Sequence, residues 1–514
     1  GDYDMDPSIT QETSAATGHA TSTARTMLLG MRDIPTISVA MERDDFVGGN
    51  GIYTNSTSKG EAWERVCSAE FIPAANDTRR DWQENCGIRV QGGASRIPSR
   101  SPKHALSFRF RAEYGSSKLR ETVFPGSAVD EFNVLALRAC YNNSWIHSSA
   151  DQPLRGSLIR DQWMRQTMLD MGSPAAGEGM HAHLFINGLY WGIFNVCERG
   201  DNSHYAEHNG GDSDLIDARN AAEFINGSAT SFNAMTSVIN AGDWSEIQQV
   251  LDVEQYIQYQ LINRFGANAD LKTGNNWRAA GGGPFPSGQP ELMAPWQLYS
   301  WDGERIFEST TSTLVPVDPF GIRTTLETNP DYLIALADQI QKHFFNDGAL
   351  TPQAVQARWE KYASILDRAI IAESARWGDH RKTPAYSRDN EWLTEQSRLY
   401  NTYFPVRTAN VLSNLNGLLP AIEAPSFLVD NTPQLGGVIP EGSILTVTSP
   451  EGAIYYTTDG SDPRLDGGEI NQAATGVNGG GTLLNFIDLE ENGWNYLDTG
   501  TAQSDSGMIV GTAG

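Results

Sequence analysis

Asn268-Ala269-Asp270-Leu271-Lys272-Thr273-Gly274-Asn275-Asn276, followed by Trp301-Asp302-Gly303-Glu304, is the stretch on which the reading of the whole chain turns. An Asp with an Asn five positions on is a spacing used by phosphoryl-transfer loops, and Asp302 adds the separate carboxylate that such a loop needs for a metal. The residue types suit that chemistry. Asp270 can orient a hydroxyl and take its proton, and Lys272 can neutralise a transferring phosphoryl group. Asn275 offers a neutral oxygen and Asp302 a charged one to a hard divalent cation. The alternative is an Asx-rich turn after a helix, with no chemistry attached. An Asp-x-x-x-x-Asn pair arises by chance roughly once in a chain this long, so the surroundings have to decide.

The surroundings are those of a large globular chain. Its 514 residues suggest roughly three domains. Thirteen Trp, 17 Tyr and 19 Phe supply apolar surface for cores, and 50 Gly with 24 Pro point to many loops rather than a helical bundle. A formal net charge of −26 argues against a general nucleic-acid binder or a partner of anionic membranes. No run of about 18 apolar residues is present, so no membrane span is expected. The chain starts Gly1-Asp2-Tyr3-Asp4, without Met or signal peptide, and reads as a piece of a longer precursor whose targeting segment lies elsewhere. Cys67, Cys86, Cys140 and Cys197 include no C-x-x-C pair; two disulfides and four buried thiols both remain open. In an oxidising compartment Cys67 is expected to pair with Cys86.

Periodicity divides the chain. Thr36 to Met41, Trp63 to Phe71 and Asn133 to Arg138 read as strands, and Ile88-Arg89-Val90-Gln91 leads into a turn at Gly92-Gly93-Ala94-Ser95-Arg96. From Lys103 to Arg111, Leu106, Phe108 and Phe110 share one face, with Lys103, Ala105, Ser107 and Arg109 on the other. His183 to Val196 is a hairpin turning at Asn187-Gly188. Helical spacing runs over Ser157 to Met171, Glu223 to Asn240, Trp244 to Leu251, Val253 to Phe265 with Asp252 as N-cap, and Asp331 to Phe345. It resumes over Pro352 to Trp377, capped by Thr351, and from Glu391 through Leu418 with a break at Pro405. Past Ala424, short apolar alternations between Pro/Gly turns suggest a small β-sandwich. His181 and His183 have an i, i+2 metal-like spacing but no third ligand nearby, so a structural role is expected for both.

Taken together, these residues resemble the spore-coat protein H (CotH) kinase family, an atypical protein-kinase-like group. The resemblance rests on Gly92-Gly93-Ala94-Ser95-Arg96 with Pro102-Lys103, Ile159-Arg160-Asp161, and the Phe185-to-Gly192 hairpin with Glu198. It continues through Asn268-x-Asp270-x4-Asn275 and Trp301-Asp302, in the family's order over roughly residues 35 to 420. It resembles in particular the versions embedded in large secreted bacterial proteins, through Tyr3-Asp4-Met5-Asp6-Pro7 and Gly51-Ile52-Tyr53 ahead of the core. Ile454-Tyr455-Tyr456-Thr457-Thr458-Asp459-Gly460-Ser461-Asp462-Pro463 is similar to the immunoglobulin-like module named after the C-terminal domain of chitobiase.

The resemblance implies an α+β fold: an extension at 1–34, a β-rich N-lobe at 35–200, a helical C-lobe at 201–420, a β-sandwich at 424–478 and a Gly/Asp-rich tail at 479–514. It also implies phosphorylation of protein Ser/Thr hydroxyls with ATP and Mg²⁺ or Mn²⁺, outside or on the surface of a bacterial cell. The C-terminal module would serve attachment to glycan or other surface domains. Asp270 would be catalytic, with Lys272 beside it, and Asn275 and Asp302 would hold metal, with Asn276 as an alternative ligand. Gly92, Gly93, Ser95, Arg96, Lys103, Glu198 and Trp301 would face the nucleotide, Lys103 on its phosphates. Departures from the kinase pattern are the missing Gly-x-Gly-x-x-Gly, and Asp-Gly-Glu in place of Asp-x-Asp at 302–304.

Overall fold

The computed structural model describes residues 5–10, 24–173, 176–283, 294–312, 317–419, 424–434, 436–437, 443–449 and 452–477, with strands at 484–487, 494–495 and 509–512. The fold is α+β, as expected. In chain order its first strands are β1 (Thr36–Ala40), β2 (Arg65–Ile72), β3 (Trp82–Val90), β4 (Leu106–Arg109), a small side pair β5 (Leu119–Arg120) and β6 (Glu131–Phe132), then β7 (Val134–Arg138), β8 (Gly179–Ile186) and β9 (Leu189–Cys197). Seven of them close a barrel in the order β1-β2-β3-β4-β7-β9-β8; β1 and β8 run parallel and the other neighbours antiparallel. Inward-facing residues fill it: Ile37 and Val39 from β1, Ile88 and Val90 from β3, Leu106 and Phe108 from β4. The β8–β9 turn has Asn187 at φ 50° and Gly188 at φ 79°. Both angles are left-handed, as a two-residue hairpin turn requires.

The helix Arg160–Asp170 comes before β8; most other helices follow β9. Asp252 caps Val253–Gly266 through the Gln255 amide at 3.1 Å, and Thr351 caps Pro352–Leu366 through Ala354 at 3.4 Å. Trp163, Phe265, Phe307, Trp359 and Phe404 pack together at the centre of this half.

Three helical expectations change. The segment from Pro352 to Trp377 is two helices, ending at Leu366 and restarting at Ile370. The stretch from Glu391 to Leu418 begins earlier, at Arg388, and includes π segments at Arg388–Trp392 and Leu399–Tyr403; the chain stays helical through Pro405, which follows directly on the second π segment at the head of Phe404–Leu415, so the expected break there is a widened turn instead. Phe224–Asn226 is a strand rather than the start of a helix, because Gly227 at φ 67° turns the chain and Ser228 caps a new helix, Ala229–Ala241.

That strand belongs to a second sheet, ordered β11-β10-β12-β13, built from β10 (Asp217–Asn220), β11 (Phe224–Asn226), β12 (Trp277–Gly281) and β13 (Gln297–Ser300). Beyond residue 424 the chain forms small antiparallel sheets. Leu484–Ile487 pairs with Ile444–Thr448, and Ile509–Thr512 with Ile454–Thr457, so strand pairing extends past the sandwich boundary drawn at 478. Cys67 and Cys86 are directly opposed on β2 and β3, with free thiols 3.6 Å apart.

Candidate active site

The two halves of the opening motif meet because of strand register. In the β12–β13 ladder Trp277 lies opposite Ser300. Asn275 and Asn276, which lead into β12, are thereby set beside Trp301 and Asp302, which leave β13. Upstream, the helix Val253–Gly266 ends at Ala267 in a left-handed conformation (φ 49°). Buried Asn268 then donates to Asn263 Oδ1 at 2.9 Å and accepts the Asp270 amide at 3.3 Å. Lys272 and Asn275 exchange backbone hydrogen bonds at 3.2 and 2.9 Å and close a tight turn. Asn276, at φ 65°, donates from Nδ2 to Asp270 Oδ2 at 2.9 Å and to its carbonyl at 3.1 Å. The Asp270 carboxylate is therefore aimed by a neutral amide donor.

A cleft of about 170 Å³ opens over this turn, lined by Gly92, Gly93, Ser95, Arg138, Asp270, Asn275, Asn276, Trp301, Asp302 and Glu304 among others. Arg138, from the end of β7, is its electrostatic hub. The buried guanidinium reaches Asp161 at 2.8 Å, Glu304 at 2.8 Å and Asp302. Asp161 has a second cation in Arg165 and accepts the Gly303 amide at 2.8 Å. Although burial opposes it, the Arg138 and Arg165 charges hold the Asp161 carboxyl below the ordinary range. Asp302 and Glu304 have only a share of Arg138. Burial raises both, Glu304 to about 8 with the Asp302 charge as the next cause, while Arg138 pulls the other way. A side chain at Gly303 would strike the sulfur of buried Met164, so the glycine of Asp-Gly-Glu lets the two pack without displacing it.

Beside this acidic cleft lies a basic one. A cavity of about 420 Å³ shares Gly92, Gly93, Asn275, Asn276, Trp301 and Asp302 with it and adds Lys59, Arg89, Arg109, Arg199 and Arg278. Arg109, Arg199 and Arg278 each have a buried Nε with no hydrogen-bond partner. Burial, then the Arg199 charge, pushes Arg109 down to about 9 and Arg278 well below the arginine range. Trp301 separates the two cavities, its ring 4.8 Å from the Arg138 guanidinium and 4.4 Å from that of Arg278. In a chain of net charge −26, such a group of cations around one cavity is a local inversion of field.

The structure thus brings Asp270, Asn275, Asp302, Trp301, Gly92, Gly93 and Ser95 together. Of the other four expected residues, Lys103, Glu198 and Lys272 stand apart, while Arg96 lines the basic cavity alone. Lys103 is fully buried, donating to Glu373 Oε1 at 2.7 Å and to the Ile193 carbonyl at 2.6 Å, and lines neither cavity. Arg96 spends its guanidinium on the carbonyls of Gly92, Ser56, Ser58 and Val90, bracing the glycine turn. Glu198 is buried against His204 and His208. Lys272 is exposed at the turn and lines neither cavity. His181 and His183 are structural, bonded to the Leu158 carbonyl and to Tyr190 and the Gly30 carbonyl. The sequence reading missed Arg138, Arg199 and Arg278; Arg109 it had placed on the non-core face of its strand, which is the face that reaches the basic cavity.

These features define an α+β protein with a charge-divided cleft between a barrel and a helical half. The chain belongs to the CotH kinase protein family, whose match covers residues 88–402 and so includes every cleft residue named above except Lys59. No match was found among curated proteins.

The site's fit to a divalent cation can be judged from its charges. Asp302 is raised by burial and by the Asp161 and Asp270 charges, and Glu304 by burial and by the Asp302 and Asp161 charges, with three carboxylates sharing Arg138. That is a surplus of negative charge which a cation would relieve, and Asn275 and Asp270 stand in the same cleft with further oxygens. The donors fit Mg²⁺ or Mn²⁺.

Proposed function

We propose that this protein transfers the γ-phosphoryl group of ATP to Ser/Thr hydroxyls of a protein substrate, outside or on the surface of a bacterial cell. The observation that carries the reading is the adjacency of an oriented carboxylate, a carboxylate-rich pocket and a pocket of unsatisfied arginines around one aromatic wall.

In this reading Arg109, Arg199 and Arg278 bind the phosphates, and the Gly92-Gly93 turn lets the chain approach them closely. Asn275 and Asp302 would hold the divalent cation, which would supply positive charge to offset that of the phosphates. Asp270 orients the acceptor hydroxyl and takes its proton as the hydroxyl oxygen bonds to the γ-phosphorus; the bond from that phosphorus to the β–γ bridging oxygen breaks, and ADP departs with the electron pair. Arg138 keeps Asp302 and Glu304 in place.

The test is transfer of labelled phosphate from ATP to protein acceptors, or to the chain itself, with Mg²⁺ or Mn²⁺. Asp270→Ala should keep nucleotide binding and lose transfer by on the order of 10²-fold or more. Asp302→Ala should lose metal-dependent nucleotide binding as well. Equal, negligible transfer by wild type and Asp270→Ala, with ATP binding intact in both, would favour a nucleotide-binding scaffold instead.

A further inference from the structure

Where β9 leaves the barrel, Glu198 meets a short helix, Asn202–Asn209, that carries His204 and His208 four residues apart on one face. Glu198 Oε1 lies 3.0 Å from His208 Nε2 and 3.4 Å from His204 Nδ1, and the three donor atoms are all within 4.8 Å of one another. Glu198 and His204 are buried, and none of the three side chains lines the cleft or its basic neighbour. We propose that Glu198, His204 and His208 form a binding site for a zinc-class divalent metal, separate from the cleft.

Three observations support it. Zinc bonds to imidazole nitrogen and carboxylate oxygen are about 2.0–2.2 Å long, so a tetrahedral centre sets its donors roughly 3.3 Å apart. The two Glu198 distances bracket that value without an ion. Next, the carboxylate is already divided: Oε2 accepts the Glu178 amide at 2.7 Å, which fixes its plane and leaves Oε1 to the imidazoles. Finally, the helix is held in register at its start, where the Asp201 side chain accepts the His204 amide at 3.3 Å, and the His204 ring stands edge-on to Tyr299 at 5.0 Å.

Two nitrogens and one oxygen select zinc, or cobalt and nickel, over magnesium and calcium, whose shells are built from oxygens. A water completes the set. The metal would join the end of β9 to the first helix after the barrel, beside the strand that leads into Trp301 and Asp302. The competing account is a metal-free ion pair between Glu198 and protonated histidines.

The experiment uses the full chain, stripped with chelator and then held in excess Mg²⁺ and ATP so that the cleft is occupied. Zinc bound per chain is measured against a chromophoric chelator, and cobalt(II) is added separately as a spectroscopic probe. One equivalent of zinc, and the strong visible absorption of tetrahedral cobalt, are expected. His208→Gln and Glu198→Gln should each weaken zinc binding by on the order of 10²-fold or more. Circular dichroism identifies a variant that has failed to fold, in which case His204→Gln replaces it. Asp302→Asn should bind zinc as wild type does. Absence of tight zinc in the wild type, unchanged affinity in the folded His208 and Glu198 variants, or loss of zinc in Asp302→Asn would each overturn the proposal.

Discussion

The seam between barrel and helices and the cleft a short way from it both contain buried charge, arranged on opposite principles. In the seam, Lys103 and Glu373 are matched one to one. The lysine donates to the carboxylate and to the Ile193 carbonyl, and the other carboxylate oxygen accepts the Ile193 amide at 2.6 Å. His181 is likewise matched to the Leu158 carbonyl, and His183 to Tyr190 and the Gly30 carbonyl. In the cleft the numbers do not match: three carboxylates share Arg138 on one side of Trp301, and arginines with unpartnered Nε atoms crowd the other. A buried charge that is fully paired holds the fold together, whereas a surplus of either sign is a cost the fold tolerates for a ligand to offset.

The largest expected effect lies in the seam. Lys103→Ala leaves Glu373 buried and alone, and should cost about 3–5 kcal/mol of unfolding free energy in a urea titration. A folded Lys103→Ala protein of unchanged stability that has lost only its ATP-induced rise in Tm would break the comparison and return Lys103 to the phosphates.

The histidines give the seam a pH signature. Burial pushes His181 and His183 from 6.5 down to about 4. Between those values the unfolded chain takes up protons that the folded one refuses, so stability is present above pH 6.5 and is lost as pH falls toward 4. The loss should approach on the order of 3 kcal/mol per histidine, read as Tm against pH, with a shallower fall in His183→Gln.

Cleft variants should behave in the reverse sense. Arg278→Met is expected to weaken ATP binding about tenfold, or about 1.4 kcal/mol by calorimetry, without lowering stability. Glu304→Gln removes a carboxyl that burial keeps mostly protonated at neutral pH although it ionises in the unfolded chain, and should raise apo stability there by on the order of 1 kcal/mol while lowering metal-dependent transfer. Instability in both would mean that the cleft charges are structural after all.

The legible parts of the sequence were those with a local signature. Asn187-Gly188 announced its turn because few other residue pairs accept two left-handed conformations, and Asp252 and Thr351 announced helix starts by offering side-chain acceptors. Asp270 and Asp302 were legible through spacing and family order. Lys103 was misplaced because period-two alternation shows which side chains oppose the core face but not whether a helix covers the other side; here Ile370–Trp377 does, through Glu373. β12 and β13 went unread because every residue of Trp-Arg-Ala-Ala-Gly and Gln-Leu-Tyr-Ser is buried, which abolishes alternation. Without that hairpin, nothing in the sequence joined Arg278 to Arg109 and Arg199.

The β12–β13 ladder also sets a rule for remodelling. Asn276 and Trp301 are gauged against each other by the pairing of Trp277 with Ser300, and not by the length of chain that joins the two strands. Loss of a single rung would therefore shift Asn276 against Trp301 with neither residue changed, so the cleft can be retuned from the strands without touching its lining.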